Sequence, residues 1–304
     1  MTAFVLRRLL GGLVALFCII TLTFFLLRLA PGGPFDSDRP LDAAIRQNLE
    51  RRWGLDQPLL SQYLLYLRGI ARLDLGVSMT GRGPIRTVLA APLLKSLLIG
   101  AAALAFAVAF GLAAGILAAV RQNRFTDYAL MSLSMLGFSI PNMVLAPVLA
   151  IVFAVELGWL PSSGWGGWQH LVLPAAALGV AFAGRIARLM RASMLEVIRE
   201  DFIRTARAKG LAESAVILRH ALRKAASPIV SYLGPAAAGI LTGSIVIEQI
   251  FALPGLGHFF VDAPNERDYP LVLGTVLLYS TLLILFNIAV DIAQALLNPR
   301  IRLQ

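Results

Sequence analysis

Five stretches of the chain, residues 9–27, 96–120, 128–155, 225–247 and 269–290, run without a single Asp, Glu, Lys or Arg. Each is long enough to supply the ~20 apolar residues with which a helix crosses the hydrocarbon core, where an unpaired backbone N–H or C=O is prohibitive. Each also far exceeds the roughly ten-residue strand of a membrane barrel. The pattern predicts an all-α integral membrane protein. A sixth run, residues 171–184, has 14 residues, and by length alone it fits a span, a re-entrant segment or an interfacial one.

Charge placement decides how that sixth run is read. If it spans and the N-terminus with Arg7 and Arg8 is cytoplasmic, then Arg121 and Arg124, the ten Lys/Arg from Arg185 to Lys224, and Arg300 and Arg302 all fall inside. That is the arrangement favoured by the positive-inside rule. Six transmembrane helices are therefore expected: residues 9–28, 96–120, 128–155, 171–190, 225–247 and 269–297. The fourth continues past Arg185, which snorkels. Residues 1–8 are then cytoplasmic, 29–95 an external segment, 191–224 a long cytoplasmic loop and 248–268 a second external loop. The external segment carries nine Lys/Arg, but at 67 residues it exceeds the ~60-residue loops that the charge rule governs. Within it, residues 42–53 and 59–70 have helix-like apolar spacing, which predicts a small folded domain.

Composition agrees: 58% hydrophobic, 14% charged, mean hydropathy +0.76. The first span exceeds a signal-peptide core and lacks a small-residue cleavage site, so it reads as a retained anchor. The formal net charge of +10 sits mainly beside apolar spans without interleaved aromatic residues, which points to anionic headgroups rather than nucleic acid. Trp159, Trp165 and Trp168 precede the fourth span and suit the headgroup layer. Cys18 is the single cysteine and lies in the first span, so neither a disulfide nor a thiolate metal cluster is expected.

No catalytic or metal-binding constellation emerges. His170, His220 and His258 fall on separate loops, and neither a metalloprotease helix motif nor a nucleophile elbow is present. Gly76-Val-Ser-Met-Thr-Gly81 has the glycine spacing of a phosphate loop, but Arg82-Gly83 follows where Lys-Ser/Thr is needed, so it reads as a turn. Asn287 and Asp291 share one face of the last span as a possible intramembrane polar site. Asp291 is also close enough to the cytoplasmic end to reach the interface or pair with an arginine. Glu248, closing the fifth span, has the same ambiguity.

The loop at 191–224 carries the functional argument. The spacing predicts a helix over 196–209, with Ile198, Phe202 and Ala206 forming its apolar strip. Gly210 is its left-handed cap, and a second helix follows over 213–226. Such a pair is either a compact knob for a soluble partner or an amphipathic hairpin lying on lipid.

Within this loop, Phe202-Ile-Arg-Thr-Ala-Arg-Ala-Lys-Gly210, followed after nine residues by His220-Ala-Leu-Arg223, resembles the Glu-Ala-Ala loop of permease subunits in binding-protein-dependent ABC importers. Gly210, Ala206 and Leu222 match the general pattern. Arg204, Thr205, His220 and Arg223 depart from it in the manner of the oligopeptide and dipeptide branch. Arg28-Leu-Ala-Pro-Gly, Glu248-Gln-Ile-Phe-Ala-Leu-Pro-Gly-Leu-Gly257, Arg267-Asp-Tyr-Pro270 and Pro299-Arg-Ile-Arg extend the likeness over nearly the whole chain.

The resemblance implies a non-catalytic transport subunit with the type I importer permease fold in a bacterial inner membrane. Its loop would dock on an ATPase through Phe202, Arg204, Thr205, Ala206, Lys209, Gly210, His220 and Leu222. It also implies a second homologous permease subunit, two ABC ATPases that bind ATP and magnesium, and an extracytoplasmic peptide-binding protein. No cofactor is expected in this chain. The cargo the resemblance implies is oligopeptides, with dipeptides, nickel chelate or glutathione as the alternative; a rival of another class, an ion-coupled carrier, would show repeated broken helices and paired intramembrane carboxylates.

Overall fold

The computed structural model describes residues 2–35 and 42–297. Among them the regular elements are helices, with one isolated β-bridge between Val77 and Pro84. Four helices are individually long and apolar enough to cross a membrane, and two bent helix pairs bring the total to six if each pair is one span. The described residues divide into two compact units, one within 96–254 and 286–297, the other within 2–35, 42–95 and 255–285.

In the first unit, α5 (Phe125–Ser139), α6 (Asn142–Ala150, continued by a π-helical turn at Ile151–Glu156) and α11 (Ser227–Ile250) all pack on α7 (Gln169–Val197). The short apolar run at 171–184 thus belongs to a 29-residue helix. Its charged end is accommodated by aromatic faces: the Arg185 guanidinium lies 4.5 Å from the Phe138 ring centroid and Arg188 lies 5.3 Å from it. Small residues let backbones meet. A Cβ at Gly111 of α4 (Ile85–Val120) would stand 2.7 Å from the Ile186 side chain, and one at Gly115 would stand 2.5 Å from the Ala187 carbonyl oxygen. Close approach of this kind is what helix association in lipid relies on.

Three expectations need correcting. Residues 128–155 are not one straight span, because α5 and α6 meet at an angle of 108°. The break falls at Ile140–Pro141, where proline has no N–H to give the helix and forces its predecessor extended; Ile140 has φ −82° and ψ 122°. The helix containing 96–120 starts at Ile85, because a charge such as Lys95 ends an apolar run without ending a helix. Of the three tryptophans, Trp159 and Trp168 are exposed, whereas Trp165 packs against the core.

The second unit holds α1 (Thr2–Leu29), α2 (Ala43–Arg52), α3 (Leu59–Ala71), α12 (Leu256–Asn265), the first turns of α4 and the first part of α13 (Tyr269–Leu297). Phe24, Tyr63 and Leu273 form its small apolar centre. The turn at Gly76–Gly81 is fastened by Asp268: Ser78 Oγ, Thr80 Oγ1 and the Thr80 N–H all donate to Oδ2, while the Leu271 N–H donates to Oδ1. Asp268 is fully buried and therefore depends on these donors.

Candidate functional site

The loop after α7 is built around α8 (Asp201–Ala208). Its start is set by Glu200, whose backbone is extended (φ −73°, ψ 154°) and whose carbonyl accepts from Ile203 and Arg204 N–H. Asp201 in the first turn suits the positive helix end. The far end is a Schellman cap: Gly210 N–H donates to the Arg207 carbonyl at 2.9 Å, and Leu211 N–H donates to the Ala206 carbonyl at 3.4 Å. Gly210 has φ +77°, a conformation that a side chain disfavours.

Because the helix restarts at Asp201 instead of running from 196 to 209, its apolar face is rotated. Ile203 and Ala206 are buried, together with Val216, Ile217, Ala221 and Ala225 from the returning helical limb of the loop and Met190, Met194 and Val197 from α7. Phe202, expected on one strip with Ala206, instead stands 39% exposed while Ala206 is buried. Arg204, Thr205, Lys209, Gly210 and His220 are exposed too, while Leu222 is partly buried against the core. The Arg204 side chain, 74% exposed, reaches Asp201 at 3.4 Å. Of the eight residues singled out by sequence, Ala206 and Leu222 anchor the loop and the other six lie on its outer surface.

The second helix expected over 213–226 is interrupted. Short helices α9 (Glu213–Ala215) and α10 (Leu222–Ala225) flank a π-helical stretch at Val216–Ala221, and the segment leads into α11 after Ala226. Two ion pairs close the loop. Arg207 Nε and Nη2 donate to the two carboxylate oxygens of Glu213 at 3.1 and 2.6 Å across the Gly210 turn. Those hydrogen bonds, foremost among the causes, hold the Glu213 carboxyl below the ordinary value. Lys224 donates to Glu200 and lies 5.4 Å from the Phe202 ring centroid, joining the two ends of the loop. Sequence reasoning passed over Ile203, Arg207, Glu213 and the Glu200–Lys224 pair. The Ile203/Ala206 spacing of three was legible, but only once the helix start was known.

A bidentate ion pair stands next to this assembly. Arg191 of α7 donates to Asp127 of α5 at 2.6 and 2.7 Å, and the Asn123 N–H adds a third bond to the same carboxylate. α7, which leads into the loop, is thereby fixed in register against α5. Glu248 is 1% exposed, and Ser96 Oγ donates to it at 2.7 Å, so it is an interior residue rather than an interfacial one. Asn287 is exposed on α13 and Asp291 is partly buried one turn later. Residues 299–302 of the terminal motif lie outside the described residues.

These elements define a multi-pass helical membrane protein that presents one short, charged, rigidly seated helix. Residues 111–303 match the family described as binding-protein-dependent transport system inner membrane component, and residues 1–84 match the corresponding N-terminal family. The chain belongs to this family of inner membrane transport subunits. It is 48% identical over 305 residues to the oligopeptide transport system permease protein OppB of Haemophilus influenzae, covering 99% of this chain and 100% of the relative. Identity is 45% to the dipeptide transport system permease protein DppB of Bacillus subtilis, covering 100% of this chain and 99% of the relative. It is 41% to the glutathione transport system permease protein GsiC of Escherichia coli, covering 99% of each.

Proposed function

We propose that this chain forms half of the translocation pathway of an ATP-driven importer for oligopeptides, with both termini in the cytoplasm and the 201–225 loop as the contact for an ATPase subunit. The reading is supported above all by full-length likeness to oligopeptide permeases, at 48% and 45% identity in the H. influenzae and E. coli proteins. The loop geometry suits the coupling role. Ile203 and Ala206 root α8 in the same core as α7 and α11, so a push on its outer face is carried to both helices as a rigid displacement. Phe202, Arg204, Thr205 and Lys209 offer an aromatic ring, hydrogen-bond donors and positive charge to a groove with an acidic rim.

A second, homologous permease subunit completes the pathway in this proposal, and two ATPases bind the ATP and magnesium. An extracytoplasmic binding protein selects the peptide. The chain itself performs no catalysis and holds no cofactor. Likeness to the dipeptide and glutathione permeases supports a second reading, the same machine with a different cargo.

The decisive experiment is ATP hydrolysis by the complex purified with this chain, with and without peptide-loaded binding protein. Stimulation by oligopeptides is expected. Co-purifying ATPase activity that ignores oligopeptides but answers to dipeptides or glutathione reassigns the cargo, and the absence of any associated ATPase refutes the coupling role. The Gly210→Asp variant tests the loop directly. No atom lies within 4 Å of a Cβ built at this position, so the new carboxylate projects into open space and opposes an acidic groove, while Gly210→Asn, uncharged and equally strained at φ +77°, controls for the turn itself. Membrane insertion at the normal level with loss of uptake is expected, and normal uptake refutes the role.

A further inference from the structure

Within the second unit, α3 is fastened to α1 by aromatic residues on one of its faces. The Thr21 hydroxyl donates to the Phe17 carbonyl, so the Tyr63 hydroxyl is the donor in the 2.7 Å bond to Thr21 Oγ1. The Tyr63 ring centroid lies 5.3 Å from those of both Phe24 and Phe25, and Tyr66 stacks on Phe24 at 5.7 Å. These contacts fix the depth of α3. Thr21 falls in the charge-free run 9–27 of a helix that qualifies as a membrane span, and Arg28, the first charge after that run, marks headgroup level. Thr21 stands seven residues before Arg28, about 10 Å along the helix axis. The Tyr63 side chain therefore reaches into the hydrocarbon, where its hydroxyl finds a protein partner in place of water, and it holds α3 against the boundary of that leaflet.

The rest of α3 suits that depth. Leu60, Leu64, Leu67 and Ala71 fall on one stripe by their spacing of four, three and four, next to the line of Tyr63. Leu67 packs against the apolar centre of the unit, but Leu60 is 65% and Leu64 57% exposed, and Ala71 is exposed as well. Leu59, also exposed, widens the apolar surface at the first turn. Single exposed leucines are ordinary on a soluble surface, whereas a contiguous group marks a contact. The helix holds no acidic residue, and Arg68 in its last turn and Arg72 at its cap are exposed. A leucine stripe combined with arginines is the pattern of a helix lying in a membrane interface. We propose that α3 is embedded in the leaflet at the Arg28 end of α1, with Leu60 and Leu64 against acyl chains and Arg68 and Arg72 at lipid phosphates. The 42–95 segment is thus seated on lipid through α3, whatever solute the protein carries.

The test is electron paramagnetic resonance of spin labels attached one at a time to Leu60→Cys, Leu64→Cys and, at an exposed position before the helix, Asp56→Cys. Cys18→Ser removes the single native cysteine, so each label is unique. The full-length chain, in the complex with which it purifies, is placed in vesicles of phosphatidylethanolamine and phosphatidylglycerol. Collisions are measured with oxygen, which concentrates in hydrocarbon, and with a water-soluble nickel chelate. Oxygen is expected to exceed nickel at positions 60 and 64, and nickel to exceed oxygen at position 56. A melting temperature equal to that of the unlabelled protein shows that each labelled variant is folded. Nickel in excess at 60 and 64 of the folded variants overturns the proposal and places the stripe in water. Labels at 60 and 64 that neither reagent reaches overturn it in favour of a contact with another protein subunit. Neither peptide nor ATP enters the measurement, so its outcome stands apart from that of the transport reading.

Discussion

The loop at 201–225 and the corner around Asp268 are both made of tight turns and charged residues, yet they use charge in opposite ways. In the loop the ions face water: the Arg207 and Glu213 side chains are 39% and 55% exposed, and what is buried is aliphatic. In the corner the carboxylate is fully buried, and it accepts from Ser78, Thr80 and Leu271. Exposed ion pairs contribute little to stability but remain available to a partner. A buried carboxylate offers nothing to a partner and is kept only where its neighbours satisfy it. The difference separates an exposed surface open to a partner from a polar lock made for rigidity.

Breaking the lock is expected to have the largest effect. Asp268→Ala takes the acceptor from the buried Ser78 hydroxyl, which keeps only Thr80 Oγ1, and from the Thr80 and Leu271 N–H groups, and a loss of about 3 kcal/mol follows, read as a lowered melting temperature of the complex. An unchanged melting temperature would show that the corner is not a lock. Ile203→Ala removes the side chain that roots the loop, and about 2 kcal/mol is expected together with faster amide exchange at Leu211. Phe202→Ala and Arg204→Ala should change stability by no more than about 0.5 kcal/mol while lowering uptake roughly tenfold, as for anchors at an interface. Equal losses of stability and uptake would dissolve the distinction between root and outer face.

The smallest effect concerns pH. Because Arg207 holds the folded Glu213 carboxyl below its ordinary value, the pair's contribution is present above the unfolded carboxylate value. It is lost as the pH falls through the lowered folded value. With Glu213 about half exposed the loss stays within about 0.5 kcal/mol, and Glu213→Gln abolishes it. Amide exchange at Gly210 measured against pH in both proteins checks the sign.

The cap of the short loop helix was legible in the chain because its signals are local. Gly210 lies at the end of a short amphipathic segment, and a left-handed cap there is its simplest reading. The expected sharing of one strip by Phe202 and Ala206 gave way for a reason equally physical. Periodicity gives the spacing of an apolar face but not its phase, and the phase depends on where the helix begins. The extended backbone at Glu200 sets that start. The bend at Pro141 was signalled by a proline within an apolar run, but a proline inside a span can kink a helix or break it, and only the neighbouring packing selects between these outcomes.

By itself the sequence determined the class of the protein, because apolar length and the positions of charge are conditions that lipid imposes segment by segment. It also determined the family, through motifs that keep their order along the chain. Tertiary structure alone decided which charges are interior. Asp127 and Arg191 are 64 positions apart, Ser96 and Glu248 are 152 apart, and Ser78 and Asp268 are 190 apart. Pairing across such distances follows from how helices pack, and no local pattern of residues encodes it.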